Sequence, residues 1–482
     1  MAASPQSVLG ARAQIGGTGG SPAAAARGSS WIRVVLVLAI CHAAAVASFQ
    51  VLSVLVGPLK AALSLSDVQY SLMQGLAVAI FASLLGLPAA AGADRGNRRL
   101  IVLVGVTAWS LATIGCALAQ TFGELFAARM FVGLGEVFLY PAALSMIADV
   151  APPGRLSSAI GAFGCGGPMG AALALMGGGW LVRAGERVSS VLPGLAPWRL
   201  VFLLCGAFGI IAGVLLLTIS EPDHRAPRES SPAGHDGALR HILRNWKLFA
   251  GVSGGMLALS FCVYATASWL PAMLVRDHGM SYGTAGATTG AASLGGGVLG
   301  AWVSGLLSDR VESSGHRDAA LLVAIGVAVA FVVTIPAAVL AASSWGTVAS
   351  VWVGYALLGM PTVLGGTALQ QISPPQIRAQ VMAIQVLLVN LVALSLGPLT
   401  VAVLSERVFG NALAVGYGLA LTVGAGSITA RRPRRARRIA PRTDAPRLRR
   451  IRRNAEIPPR IRSELRHRRR SPHARRVFRA IL

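Results

Sequence analysis

The sequence predicts an all-α membrane protein that crosses the bilayer twelve times, in two six-helix halves. Its 482 residues are 54% hydrophobic and only 13% charged, whereas a typical soluble domain is about 25% charged. Apolar stretches of the roughly 20 residues that a spanning helix needs recur along the chain. Two short motifs also occur twice at nearly equal separations, which indicates an internal repeat.

The apolar stretches give approximate bounds for the twelve helices. The first half is predicted to span at 33–57, 69–91, 100–119, 125–149, 157–182 and 200–219. The second half is predicted to span at 248–274, 284–307, 319–342, 346–369, 379–404 and 412–430, the last with the weakest signal. The resulting domains are a disordered N-terminal segment 1–30, two helical bundles at 31–219 and 247–430, a linker 220–246 and a disordered tail 431–482.

The distribution of Lys and Arg predicts the orientation. Before residue 431, the loops on one side hold 15 of these residues and the loops on the other side hold six. Because positive loops remain cytoplasmic, we expect a multi-pass protein of the cell membrane with both termini inside. The N-terminal 30 residues lack the pattern of a removable signal peptide.

The tail from residue 431 has an unusual composition. It holds 21 Arg, no Lys and three acids. Such a segment can bind anionic lipid, or nucleic acid without specificity. The favoured explanation is a disordered low-complexity segment, or a GC-rich frame translated out of register.

The repeated motifs follow equivalent helices of the two halves. Asp94-Arg95 follows span two and Asp309-Arg310 follows span eight. Pro152-Pro153-Gly154-Arg155 and Pro374-Pro375-Gln376-Ile377-Arg378 follow spans four and ten. Two halves of the same orientation imply parallel repeats around an axis along the membrane normal, which usually rock around a central site.

Four motifs resemble the major facilitator superfamily, and within it the spinster-like branch and its bacterial relatives. They are Asp94-Arg95-Gly96-Asn97-Arg98-Arg99, the span-four run Arg129-Met130-Phe131-Val132-Gly133-Leu134-Gly135-Glu136, Pro197-Trp198-Arg199, and Gln370-Gln371-Ile372-Ser373-Pro374. The resemblance covers about residues 31–426 and implies a secondary active transporter rather than an enzyme. Two positions depart from the pattern: Ala90 replaces a Gly, and Ser48-Phe49-Gln50 replaces a charged Asp-Arg pair.

Span four carries the candidate coupling residues. Glu136 is the one acid in the interior of the predicted spans, since Asp149 is the last residue of span four. A carboxylate in the bilayer costs several kcal/mol, so it is usually functional. Arg129 lies seven residues earlier, about 10 Å along one helical face. We hypothesise that Glu136 takes up and releases a proton, while Arg129 attracts an anionic group or binds the carboxylate again between states. The alternative is a charge pair that only fixes span four to its neighbours.

Two further groups of residues are candidates on the strength of the family resemblance. The first group would form a cytoplasmic gate that joins the two halves in the outward-facing state. The alternative is that these charges only follow the general excess of Lys and Arg in cytoplasmic loops. The gate residues are Asp94, Arg95, Arg98, Arg99, Asp309 and Arg310. Polar and aromatic residues could line the central cavity, although each alone is more often a packing residue. They are His42, Gln50, Tyr140, Tyr264, Trp269, Tyr355 and Asn390.

Other classes of protein fit less well. Gly251–Gly255 and Gly295–Gly300 match enzyme motifs but lie in predicted spanning helices, and no phosphate-binding loop occurs. We therefore expect no cofactor, no metal and no specific nucleic acid. The expected partners are a small organic anion or amphiphile, protons and membrane lipid, and the expected state is a monomer. A receptor or scaffold of the same fold, or a drug or lipid exporter, remains an alternative.

Overall fold

A computed structural model describes residues 22–95, 97–152, 155–185, 196–221, 236–316, 319–341, 343–374, 377–410 and 415–430. Every regular element in these ranges is helical, which confirms the predicted fold class. Ten helices of the described chain are long and apolar enough to cross a membrane. Ser344–Ile372 and Val415–Ala430 lie where spans ten and twelve are predicted. Residues 1–21 and the Arg-rich tail lie outside the described residues.

The described residues of the first half, between 22 and 221, form ten α-helices, because three of the six spans are each divided into two helices and a short helix, α2, follows span one. These helices are α1 Pro22–Gln50, α2 Val56–Leu63, α3 Asp67–Gln74, α4 Leu76–Arg95, α5 Arg98–Leu118, α6 Phe122–Val132, α7 Leu134–Val150, α8 Leu156–Gly164, α9 Gly166–Arg183 and α10 Pro197–Leu216. A 3₁₀ turn, Val51–Val54, continues α1. Helix α1 already begins at Pro22, inside the segment for which disorder is expected.

The second half, residues 236–430, has longer uninterrupted helices. They are α11 Asp236–Arg244, α12 Trp246–Arg276, α13 Tyr282–Ser313, α14 Ala319–Leu340, α15 Ser344–Ile372, α16 Arg378–Leu388, α17 Ser395–Val403 and α18 Val415–Ala430. Two π-helical segments, Val389–Leu394 and Leu404–Val408, precede and follow α17 and complete span eleven. Helix α11 lies within the segment predicted as the linker.

Glycines allow the close helix contacts between the halves. A Cβ atom on Gly286 of α13 would overlap the carbonyl oxygen of Leu175 on α9, and one on Gly179 would overlap the carbonyl oxygen of Tyr282. Gly75, between α3 and α4, lies equally close to the carbonyl oxygen of Leu394. Small residues permit such backbone-to-backbone packing in membranes, where lipid leaves little hydrophobic driving force between helices.

The helices define two ends of the bundle, which we name by one residue each. The Asp67 end contains the start of α3, the end of α12 and the start of α13. The Arg98 end contains the start of α5 and the ends of α7 and α10. These names carry no assumption about which end faces the cytoplasm.

Candidate functional site

Four charged residues meet at the Asp67 end and form what we call the Asp67 cluster: Lys60, Asp67, Arg276 and Glu406. Asp67 is fully buried. Arg276 donates two hydrogen bonds of 3.0 Å to its carboxylate, one to each oxygen, and Lys60 Nζ also binds Oδ1. The backbone N–H of Asp67 donates to the carboxylate of Glu406.

The cluster joins the two halves. Lys60 and Asp67 belong to the first half, whereas Arg276 and Glu406 belong to the second. Ser66 begins α3 with a capping box that includes Gln69, so Asp67 lies in the first turn, where the helix dipole favours a negative charge. A buried carboxylate is tolerated only when it is paired and hydrogen-bonded, and Asp67 obtains that pairing mainly from the opposite half.

Two hydrogen bonds between uncharged groups extend this contact into the membrane. Gln50 Nε2, on α1, donates to the carbonyl of Ala267 on α12 at 3.0 Å. Ser71 Oγ, on α3, donates to the carbonyl of Pro398 on α17, also at 3.0 Å. We call these two bonds together with the Asp67 cluster the interhalf seal.

An apolar contact continues the seal, where Val78, Ala79 and Leu394 are buried together. Phe49 and Tyr264 pack against these three side chains. The contact therefore joins α4 of the first half to span eleven of the second at the depth where α1 ends.

Arg129 is a second fully buried charge, and it is held differently. Its Nη1 donates to the carbonyl of Ser48 at 2.8 Å and its Nη2 to the carbonyl of Phe49 at 3.2 Å. These two residues lie in the last turn of α1, where carbonyl groups lack partners within the helix and carry the negative end of its dipole. The guanidinium also lies 5.8 Å from the centre of the Phe49 ring. Arg129 therefore caps α1, and its Nε has no hydrogen-bond partner among the described residues.

Glu136 lies on α7, and its side chain is outside the described residues. Between Arg129 and Glu136 the helix is interrupted, since α6 ends at Val132 and α7 begins at Leu134. A Cβ atom on Gly133 would overlap the backbone of Val78, so the interruption lies at a close contact with α4. The interaction of Glu136 with Arg129 stays a prediction.

The residues predicted for a gate lie at the Arg98 end. Arg98 is buried and donates to Ser145 Oγ at 3.0 Å, to Glu221 Oε1 at 2.9 Å and to the carboxylate of Asp149. The Arg99 N–H donates to Glu221 Oε2 at 2.7 Å. These bonds connect the start of α5 to the ends of α7 and α10, all within the first half.

The remaining gate residues make no described contact between the halves. Asp309 and Arg310 are exposed near the end of α13, and the side chains of Asp94 and Arg95 lie outside the described residues. A gate that joins the halves at this end in another conformation stays a prediction.

The seven predicted cavity residues divide into separate groups. Gln50 belongs to the seal, and buried Trp269 donates from Nε1 to the carbonyl of Pro398 at 3.0 Å. His42 stacks on Phe163 at 4.8 Å and meets the ring of Tyr140 edge-on at 5.8 Å. The others are Tyr264 in the apolar contact, buried Tyr355 on α15 and half-buried Asn390 in the π-helical segment Val389–Leu394.

The sequence interpretation missed Asp67, because it started span two at residue 69. The capping-box pattern Ser66-x-x-Gln69 could have placed the start of the helix at Asp67. The observed spanning helices include further acids near their ends: Asp149, at the last position of the predicted span four, and Glu406, two residues beyond the predicted end of span eleven. Glu136 is therefore not alone among acids in the spanning helices.

Comparison with known proteins agrees with this architecture. Residues 38–398 match the family model of the Major Facilitator Superfamily. The chain is 30% identical over 381 residues to an MFS-type efflux pump of Mycolicibacterium smegmatis, which covers 77% of this chain and 84% of that protein. It is 26% identical over 340 residues to protein spinster homolog 1 of Homo sapiens, covering 66% of this chain but only 62% of the human protein.

A solved structure is also similar. It is a bacterial homologue of the human lysosomal transporter spinster, in an inward-facing and unoccupied conformation, with a TM-score of 0.70 and 26% identity over 83% of this chain and 95% of that one. The chain therefore belongs to the Major Facilitator Superfamily of transporters, in its spinster-like branch.

Proposed function

We propose that the chain is a proton-coupled secondary transporter that moves a small organic solute by alternating access, and that the Asp67 end is closed and faces outward in this structure. The interhalf seal carries the proposal, because it closes one end of the bundle with contacts that cross between the halves. Two observations support the orientation. The loops of the Asp67 end belong to the Lys- and Arg-poor side, and the similar bacterial spinster homologue is inward-facing.

The interhalf seal consists largely of charged groups, and such a contact can both hold the halves together and separate during transport. Removing one partner of a buried ion pair leaves an uncompensated charge and costs about 3–5 kcal/mol. When the halves separate at this end, however, water enters and solvates all four charges of the Asp67 cluster together. A solvated pair contributes only about 0–1 kcal/mol. The cluster therefore stabilises the closed end without preventing the open state.

Arg129 provides the site for competition between a solute and Glu136. Its guanidinium is held by two neutral carbonyls, and a carboxylate is a stronger partner because both groups then carry charge. An anionic solute or ionised Glu136 could displace these carbonyls. Protonation of Glu136 removes its charge and leaves Arg129 to the solute, which couples proton binding to solute binding.

Two candidate substrate classes are suggested, one by the same residue and one by the relatives. Arg129 favours an organic anion, whereas the similarity to spinster proteins favours a lipid-like amphiphile. Because one relative is an MFS-type efflux pump, export of a drug or lipid is the second candidate function.

The test is flux in proteoliposomes driven by a pH gradient, with a panel of organic anions, sugars and amphiphiles. We expect Glu136→Gln to bind solute but to lose pH-driven accumulation by at least about a hundredfold, the lower end of the range for a positioned proton-transfer group. Glu124→Gln is the control, since Glu124 is an exposed acid in the first turn of α6. Wild-type rate and pH dependence in Glu136→Gln would refute the coupling role. Absence of flux for every solute in folded protein would support a receptor or scaffold instead.

A further inference from the structure

A basic stripe runs along one side of α11 and continues onto the first turn of α12. It consists of Arg240, Leu243, Arg244 and Lys247, spaced i, i+3, i+4 and i+7, and all four side chains are exposed. Arg240, Leu243 and Arg244 therefore lie on one face of α11, and Lys247 follows in the next helix, after Asn245, whose backbone leaves the α-helical conformation. Helical hydrogen bonding continues across the turn at Asn245, whose N–H donates to the carbonyl of His241 and whose carbonyl accepts from Phe249.

The opposite side of α11 is held against the bundle. The His241 ring meets the Phe249 ring edge-on at 5.7 Å, and Ile242 packs against the main hydrophobic core. These contacts fix the rotation of α11 about its axis. The side that carries Arg240, Leu243 and Arg244 therefore faces away from the bundle.

The stripe lies at the depth where a spanning helix enters the membrane. Apolar residues of α12 begin directly after Lys247, and Trp246 beside it is 58% exposed. Exposed tryptophan is typical of the interface between lipid headgroups and hydrocarbon. Lys247 Nζ lies 5.8 Å from the centre of the Trp246 ring, and Leu243 is 62% exposed between the two arginines. At a membrane surface, cations can contact the lipid phosphates while an apolar side chain between them contacts the acyl chains.

The three cations have no carboxylate partner among the described side chains. The salt bridges of the described chain involve Lys60, Arg98 and Arg276 instead. Basic residues at a membrane surface attract anionic lipid, and guanidinium groups bind phosphate oxygens in pairs.

We propose that this stripe binds the headgroup phosphate of an anionic phospholipid, such as phosphatidylglycerol, in the leaflet at the Arg98 end. Arg240 and Arg244 hold the phosphate, Lys247 and Trp246 flank it at the hydrocarbon boundary, and Leu243 contacts the upper part of an acyl chain. The site is separate from Arg129 and from the interhalf seal, and it does not depend on the transported solute.

Trp246 supplies a local reporter for the test. The full chain is placed in phosphatidylcholine vesicles with a minor fraction of phosphatidylglycerol, and bromine is carried either by the phosphatidylglycerol or by an equal amount of the phosphatidylcholine. The difference in quenching between wild type and Trp246→Phe isolates the Trp246 emission. We expect brominated phosphatidylglycerol to quench the Trp246 emission as though its concentration near Trp246 were roughly fivefold higher than in the bulk bilayer. This enrichment is the one expected when about one basic residue attracts the anionic lipid.

The variant Arg240→Gln/Arg244→Gln/Lys247→Gln should abolish that preference. Its control is Arg33→Gln/Arg155→Gln/Arg378→Gln, which removes three exposed cations assigned to the same side and should retain the preference for phosphatidylglycerol.

The tail is present in all variants, so its attraction for anionic lipid is common to them. If the triple variant does not fold, a salt titration of the wild type serves, since high salt must reduce the preference. Equal quenching by the two lipids, or an equal loss in both triple variants, would overturn the proposal.

Discussion

At the scale of single residues, two fully buried charges are satisfied by different means. Asp67 is bound by cations, mainly from the other half, so its pairing depends on how the halves are arranged. Arg129 is bound by carbonyls of its own half, so its pairing survives when the halves move. Asp67 is therefore suited to distinguish conformations, and Arg129 to remain available in each of them.

Replacement of Asp67 tests the first role. Asp67→Asn keeps the shape and one oxygen acceptor but leaves Lys60 and Arg276 as neighbouring cations without their anion. We expect the Asp67 end to open more often, with a shift of at least tenfold in the ratio of the two conformations, since loss of one partner of a buried pair costs about 3–5 kcal/mol. Distance distributions between spin labels across that end measure the shift. Arg407→Gln, an exposed cation beside Glu406, should leave the distribution unchanged, and the same result for Asp67→Asn would contradict the role.

Asp277, directly after α12, predicts a dependence of stability on pH. Burial raises the pKa of Asp277 from 3.8 to about 6, opposed by the hydrogen bond from the Gly416 N–H, by His278 and by Arg276. Between pH 3.8 and about pH 6, the Asp277 carboxyl keeps its proton in the folded chain but has lost it in the unfolded chain. The free energy of unfolding therefore falls as the pH rises through this window and is level above it.

The matched variant for this prediction is Asp277→Asn, which cannot ionise but keeps an oxygen for the Gly416 N–H at the start of α18. We expect its melting temperature in detergent to lack the fall between about pH 4 and 6 that wild type shows. Parallel melting curves for the two proteins from pH 4 to 8 would show that Asp277 does not titrate as described.

At the scale of helices, the sequence predicts span positions well and interruptions poorly. Every predicted span overlaps an observed helix, because apolar length alone decides where a backbone can cross lipid. The interruptions at Gly75 and Gly133 arise from close contacts with Leu394 and Val78, which are distant in sequence. For the same reason the sequence indicates Arg129 and Glu136 as a local pattern, whereas the pairing of Asp67 with Arg276 requires the arrangement of the two halves.

The contact between α9 and α13 supports a prediction about one pair of glycines. Gly286→Ala places a methyl group against the carbonyl of Leu175, and the helices must separate to accommodate it. We expect destabilisation of about 1–3 kcal/mol, measured as a lower melting temperature in detergent. Gly305→Ala on the same helix meets no atom within 4 Å and should be neutral or slightly stabilising, because Ala favours helix. Equal effects of the two substitutions would show that the close contact is not required.

At the scale of the whole molecule, the proposed orientation sets which surface each loop faces. Ala61 lies at the Asp67 end and Ser314 lies in the loop after α13, and both are exposed. In a background with Cys165→Ala, we expect Ala61→Cys to react in intact cells with a membrane-impermeant maleimide. Ser314→Cys should react only after permeabilisation, because its loop is on the Lys- and Arg-rich side. The reverse pattern would place the closed end toward the cytoplasm.

The two π-helical segments in span eleven have a mechanical consequence. Each π-turn holds one residue more than an α-turn, so conversion of Val389–Leu394 to α-helix would twist the residues beyond it by about 100° about the helix axis. Pro398, which accepts the hydrogen bond from Ser71, lies beyond that segment. Since Pro398 lies between the two π-helical segments, opposite changes of winding in these segments would rotate this carbonyl away from the first half while the ends of the span keep their orientation. A change of winding within one helix thus offers a way to break a contact between the halves before either half tilts.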